Sequence, residues 1–141
     1  VRQVIVQFTV HGQPATQGSM KALVSRSTGR AIVVPSRSLG PWRKAVAWAA
    51  RQAYTGEPAE GPIDLNCAFY VRRPKGLPKR FHYAIKKPDL DKLVRAICDS
   101  LTGIVWKDDS QVISVHATKT YGEPGADIEV SAWEKPGGEI K

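Results

Sequence analysis

From Ile63 to Val71 the chain alternates without a slip, with Ile63, Leu65, Cys67, Phe69 and Val71 on one face and Asp64, Asn66, Ala68 and Tyr70 on the other. A two-residue period with one wholly apolar face defines a strand that needs a covering layer on that side. Two stretches have the period to supply it. Over 38–54, Trp42, Ala45, Val46, Ala49 and Ala53 recur at three-and-four spacing, with Ser38 placed to cap and Pro41 near the first turn. Further on, Leu90, Leu93, Val94, Ile97, Leu101 and Ile104 make a second helical stripe that stops near Gly103. β-branched residues mark strands at 3–10, 112–119 and 127–133, and two short extended pieces, 21–25 and 31–35, are joined by the hairpin punctuation Ser27-Thr28-Gly29-Arg30. Residues 72–88 are basic, hold three prolines and have no period, which predicts a mobile loop; the tail from Lys135 is expected to fray. The order βββα-βα-ββ predicts one α+β domain over 1–141, a mixed sheet packed with two main helices.

Charge narrows the function. Lys and Arg number 21 against 13 Asp and Glu, a net +8 that suits a polyanionic partner, nucleic acid above all. No acid occurs from Val1 to Gly56 or from Leu65 to Pro88. The second stretch offers Arg72, Arg73, Lys75, Lys79, Arg80, Lys86 and Lys87 as phosphate contacts, with Lys92 just beyond. Then five acids, Asp89, Asp91, Asp99, Asp108 and Asp109, fall within twenty-one residues. Carboxylates crowded beside a basic surface repel phosphate unless a cation neutralises them. No apolar run reaches the roughly 18 residues of a membrane span, and no signal-peptide pattern opens the chain, so a cytoplasmic, membrane-free location is expected. Cys67 and Cys98 lack the spacing of a disulfide framework or a zinc site.

The candidate chemistry lies in Lys86-Lys87-Pro88-Asp89-Leu90-Asp91-Lys92-Leu93 together with Trp106-Lys107-Asp108-Asp109-Ser110. Proline at 88 puts Asp89 at the N-cap of the second helix and Asp91 in its first turn. Asp108 and Asp109 follow that helix, so the chain must fold back for the two pairs to meet; a strand from Gln111 running beside the helix's entry would do this. An oxygen-only set favours Mg²⁺ or Mn²⁺, and metal ions at such a cluster cut phosphodiesters by activating water and stabilising the leaving oxygen. The competing reading is structural: the aspartates cap helices in a non-catalytic DNA-binding module, and Asp91, Arg95 and Asp99 form a charge ladder at i, i+4, i+8. His11, His82 and His116 show no ligand spacing. Trp42 and Trp48 lie on different faces of the first helix, so only one need be core, and Trp106 is placed to pack beneath the aspartate pair.

Pro-Asp-Leu-Asp-Lys-Leu, the helix end Ile-Cys-Asp-Ser-Leu-Thr and Trp-Lys-Asp-Asp-Ser-Gln-Val resemble the core signature of the RusA family of Holliday junction resolvases, over about residues 86–121. The resemblance implies a small α+β subunit that forms a homodimer, binds four-way junction DNA and makes paired symmetric nicks with Mg²⁺ held by three aspartates. Matched position by position, these are Asp89, Asp91 and Asp109, with Asp108 adjacent. Two positions depart: Lys92 stands where the family usually has Asn, and Arg95 stands where it has a functional lysine. Arg95 keeps the charge but cannot surrender a proton.

Overall fold

The structure, a computed structural model, describes residues 1–17, 20–24, 31–35 and 38–133; the turn expected at 27–30 and the tail from Lys135 lie outside them. Strands β1 (Arg2–His11), β2 (Met20–Val24) and β3 (Ala31–Pro35) precede helix α1 (Leu39–Ala53), then β4 (Ile63–Val71), α2 (Leu90–Leu101), β5 (Val112–Tyr121) and β6 (Gly125–Trp133). β2 and β3 pair antiparallel as a separate ribbon. The main sheet has the order β1-β6-β4-β5. β5 runs parallel to β4, with α2 as the crossover that a parallel pair requires, and the other pairings are antiparallel. This is the α+β architecture of a mixed sheet packed against two helices.

The alternation in β4 has its expected consequence. Ile63, Leu65, Cys67 and Phe69 are fully buried and pack with Leu93, Ala96, Ile97 and Leu101 of α2 and with Trp42, Val46 and Ala50 of α1. Each of the larger aliphatic and phenyl side chains among them contributes roughly 1.5–3 kcal/mol through removal from water. Trp42 is core at 3% exposure while Trp48, on the opposite side of α1, is 66% exposed. α2 stops at Thr102 and Gly103, whose φ of +88° is the left-handed value that glycine takes without strain. β6 begins at Gly125, where only glycine fits because a Cβ would sit 2.7 Å from the Val10 carbonyl oxygen of β1. β5 is an edge of the sheet, and its Ile113 and Val115 are exposed at 64% and 44%.

The segment 72–88 is the irregular loop its composition suggested, and it is tied by specific bonds. The Arg73 guanidinium donates to the carbonyls of Pro78 and Phe81, and lies 5.3 Å from the centre of the Tyr121 ring. Leu77 N–H donates to Pro74 O, Phe81 N–H to Pro78 O, and Tyr83 bridges to Thr120 at the edge of β5. Low apolar periodicity conceals this order because the loop is held through its backbone carbonyls, which the sequence does not display.

Candidate functional site

The entry of α2 gathers the first pair of carboxylates. Asp89 occupies the N-cap with extended backbone (φ −74°, ψ 133°), and its carbonyl accepts the first helical bond, from Leu93 N–H at 3.1 Å. Its side chain makes no capping bond. Capping is worth about 1 kcal/mol to a helix, so an aspartate at the N-cap that does not cap has its carboxylate available for other work. The nearest cation is Lys92, with Nζ 3.5 Å from Asp89 Oδ2. Asp91 is exposed in the first turn. Behind them, Lys119 Nζ donates to the carbonyls of Lys86 and Pro88, each at 2.7 Å. Lys119 pairs with Phe69 and follows Val115 and Ala117 on the face of β5 that packs toward the helices. A lysine at an inward strand position was the available signal for this residue, which sequence reasoning passed over.

The second pair stands at the other end of α2. Asp109 opens a single 3-10 turn, Asp109–Gln111. Its Oδ1 accepts from the Thr102 hydroxyl and, at 3.4 Å, from the indole N–H of Trp106, which also donates to Thr102 Oγ1 at 3.1 Å. Trp106 is fully buried beneath the turn. Asp108 is the N-cap of that turn: its Oδ1 accepts from Ser110 N–H at 2.8 Å while Gln111 Oε1 accepts from Asp108 N–H at 2.7 Å, a reciprocal capping box. The Ser110 bonds hold the Asp108 carboxyl below its ordinary pKa. The capping role considered for these residues therefore belongs to Asp108.

Fold-back occurs, but it delivers a different residue from the one expected. β5 starts at the exit of α2 and runs back toward its entry, so the strand's far end, Lys119, meets the Lys86 and Pro88 carbonyls that precede Asp89. Asp109 stays beside Thr102, the C-cap of α2. Ten helical residues, 92–101, lie between Asp91 and the Thr102 C-cap, about 15 Å at 1.5 Å per residue. Among the described residues no three His, Cys, Asp or Glu side chains form a metal-binding group. The expected convergence of Asp89, Asp91 and Asp109 within one chain is not what this fold produces; the physical reason is that α2 lies between them as a rigid spacer.

The remaining candidates sort by their contacts. No ion pair joins Asp91, Arg95 and Asp99 among the described residues, so the helical charge ladder does not form, and Arg95 is exposed. Arg73 is committed to its loop. Arg72, Lys75, Lys79, Arg80, Lys86 and Lys87 are exposed, and His11, His82 and His116 are exposed and dispersed. Burial pushes the thiols of Cys67 and Cys98 up to about 12 and about 11. Charge is segregated along α2. The loop cations, Lys92 and Lys119 surround its entry. Its exit carries Glu57, Glu60, Asp64, Asp108 and Asp109, with Lys107 paired to Glu60 and Arg2 to Asp64.

The chain is thus an α+β domain with a non-capping Asp-x-Asp set among cations at one end of α2. Residues 12–131 match the family described as Endodeoxyribonuclease RusA, and the chain belongs to that family. It is also 29% identical over 128 residues to a Bacillus subtilis (strain 168) protein whose name reads "Uncharacterized protein YqaN", a match covering 84% of this chain and 89% of that one. No helix among the described residues is long and apolar enough to cross a membrane.

Proposed function

We propose that this protein is a divalent-metal-dependent endonuclease that resolves four-way DNA junctions as a homodimer. The observation that carries the reading is Asp89, an N-cap residue whose carboxylate does not cap, next to Asp91 at the one end of α2 where the cations gather. Mg²⁺ is commonly held by one or two carboxylates plus substrate phosphate, so Asp89 and Asp91 suit it or Mn²⁺. When bound, such a metal supplies an activated water and charge stabilisation at the leaving oxygen. The chain's own residues do the rest: Lys86, Lys87 and Lys92 with the exposed cations of 72–80 bind and orient the backbone, and Arg95, one turn beyond Asp91, faces charge developing on the phosphate. Asp108 contributes by holding the turn that presents Asp109.

The dimer accounts for Asp109. β5 is an edge strand with exposed Ile113 and Val115, and a bare apolar edge favours pairing with another strand. Antiparallel pairing of two β5 strands about Val115, over Val112–Thr118 and short of Thr120 where Tyr83 already bridges, sets the start of one against the end of the other. The partner's Asp109 turn then comes to the Lys119 end of this chain, beside Asp89 and Asp91. A two-fold pair of such composite sites matches a substrate that needs two symmetric cuts. The test is incubation of the protein with a four-way junction and with a linear duplex of the same sequence, each with Mg²⁺ or with EDTA. Paired nicks in the junction with Mg²⁺ alone support the reading, and an intact junction under all conditions rejects it.

A further inference from the structure

Beside the cationic end of α2, the loop 72–88 opens a cleft of about 290 Å³ whose walls include Arg80, Phe81, Tyr83, Ile85, Lys86 and Tyr121. Its apolar side chains are displayed rather than hidden: Tyr83 is 82% exposed, Ile85 84% and Phe81 45%. Their backbone is bonded at several points. Arg73 ties down Phe81, Tyr83 bridges to Thr120, Ile85 N–H donates to Tyr83 O at 3.0 Å, and Lys119 holds Lys86 O at 2.7 Å. Arg80 already lies over the Phe81 ring, 4.9 Å from its centre, and Arg73 over Tyr121. Among the described residues the Tyr83 ring carries no such cation, so its face is open.

Exposed apolar surface costs solubility and is kept where it meets a partner. Here the surface lies in a stretch without a single acid and with seven cations, so the partner must combine flat apolar faces with regular negative charge. Nucleobases on a phosphodiester strand do so, and aromatic side chains interleaved with Lys and Arg form the usual platform for them. In an intact duplex the base faces are stacked away, so the cleft can engage only bases that have lost their neighbours. We infer that this cleft is a stacking subsite for an unpaired nucleobase, with Tyr83 and Ile85 against the base and Arg80 and Lys86 on its flanking phosphates. Lys86 and Asp89 are three residues apart, at most about 11 Å when extended. With one phosphate per roughly 3.4 Å of strand along the axis, the stacked base lies within about three nucleotides of the phosphate at the carboxylates. The inference deepens the proposed function, since it takes DNA to be the ligand at this end of α2, and it names a means by which open structures are preferred over duplex.

The test uses the whole protein without metal and two strands of equal length and charge, oligothymidylate and a base-free abasic phosphodiester, with binding read by fluorescence anisotropy. The expected result is tighter binding of oligothymidylate, by roughly 5- to 150-fold, the span typical of one stacked base. Tyr83→Ala should remove most of that preference, Tyr83→Phe should retain it, and Ile85→Ala should reduce it. The abasic strand should bind all four proteins alike, with one salt slope, because no phosphate contact changes. Equal affinity of the wild type for both strands, or a preference untouched by Tyr83→Ala, overturns the inference and leaves the cleft to a protein partner. Nicking of the four-way junction by the wild type in Mg²⁺ is scored separately. A Tyr83-dependent preference without nicking upholds the cleft and removes the nuclease reading, whereas nicking without a preference does the reverse.

Discussion

Mixing two inactive variants tests the composite site directly. Asp91→Asn and Asp109→Asn should each lose cleavage to background while still binding the junction. Oxygens around one Mg²⁺ are separated by no more than about 4 Å, twice a coordination distance. Asp91 and Asp109 lie towards opposite ends of α2, which spans about 18 Å. The two cannot share an ion within one chain, so the intact partner of each must come from the other copy. In a heterodimer of the variants, one site collects both lesions and the other collects none. Random exchange makes about half the dimers mixed, each with one working site of two, so the mixture should recover about a quarter of wild-type nicking. The products should be single nicks, not paired ones. The assay is a denaturing gel on an end-labelled junction after the variants are co-incubated, with heterodimers counted by a mass tag on one of them. Activity that stays at the sum of the two backgrounds while heterodimers are present would refute the argument and return both carboxylates to separate roles.

Lys119→Met should lower stability by about 1.5–3 kcal/mol, because it deletes charge-assisted bonds to two carbonyls. That is a fall in Tm of roughly 6–12 °C at this chain length, accompanied by slower nicking as Asp89 loses its support; an unchanged melt would remove the positioning role. Arg95→Ala should cost roughly 10²–10³-fold in single-turnover rate, with Arg95→Lys keeping most of it and neither shifting Tm by more than about 2 °C, since no ion pair is lost; a near-normal rate for the alanine variant would transfer suspicion to Lys92. The raised thiol values favour the neutral, folded form, so their contribution is complete below the ordinary value near 9 and fades as pH rises toward about 11 and about 12. Iodoacetamide at pH 8 should therefore leave Cys67 and Cys98 unmodified in the folded protein and label both in denaturant, as read by intact mass.

Much of this molecule was legible because its periodicities are clean. β4 advertises its buried face, the α2 stripe of Leu93, Ile97 and Leu101 is the face it buries, and the order of elements follows from the punctuation between them. Asp89 at the N-cap was legible from Pro88. The distance between Asp89 and Asp109 was not, because a one-dimensional string gives a strand's existence but not which of its ends returns to a given helix terminus. The same limit hid Lys119, whose partners are carbonyls of residues 31 and 33 positions away. The order within 72–88 was hidden likewise: bonds from Arg73 to main-chain oxygens leave no compositional trace.

The uneven placement of charge along α2 has a kinetic corollary. A body with cations at one pole and carboxylates at the other experiences a torque near a polyanion, and turns before it touches. At physiological salt the field decays over about 8 Å, less than the length of the helix, so the two poles feel it one at a time and alignment happens in the last nanometre of approach. For a single protomer meeting DNA as the proposed function requires, the acidic pole would be repelled and the Asp89 end would swing inward. A larger share of collisions then begins in the right pose, a gain in association rate that disappears as salt is added.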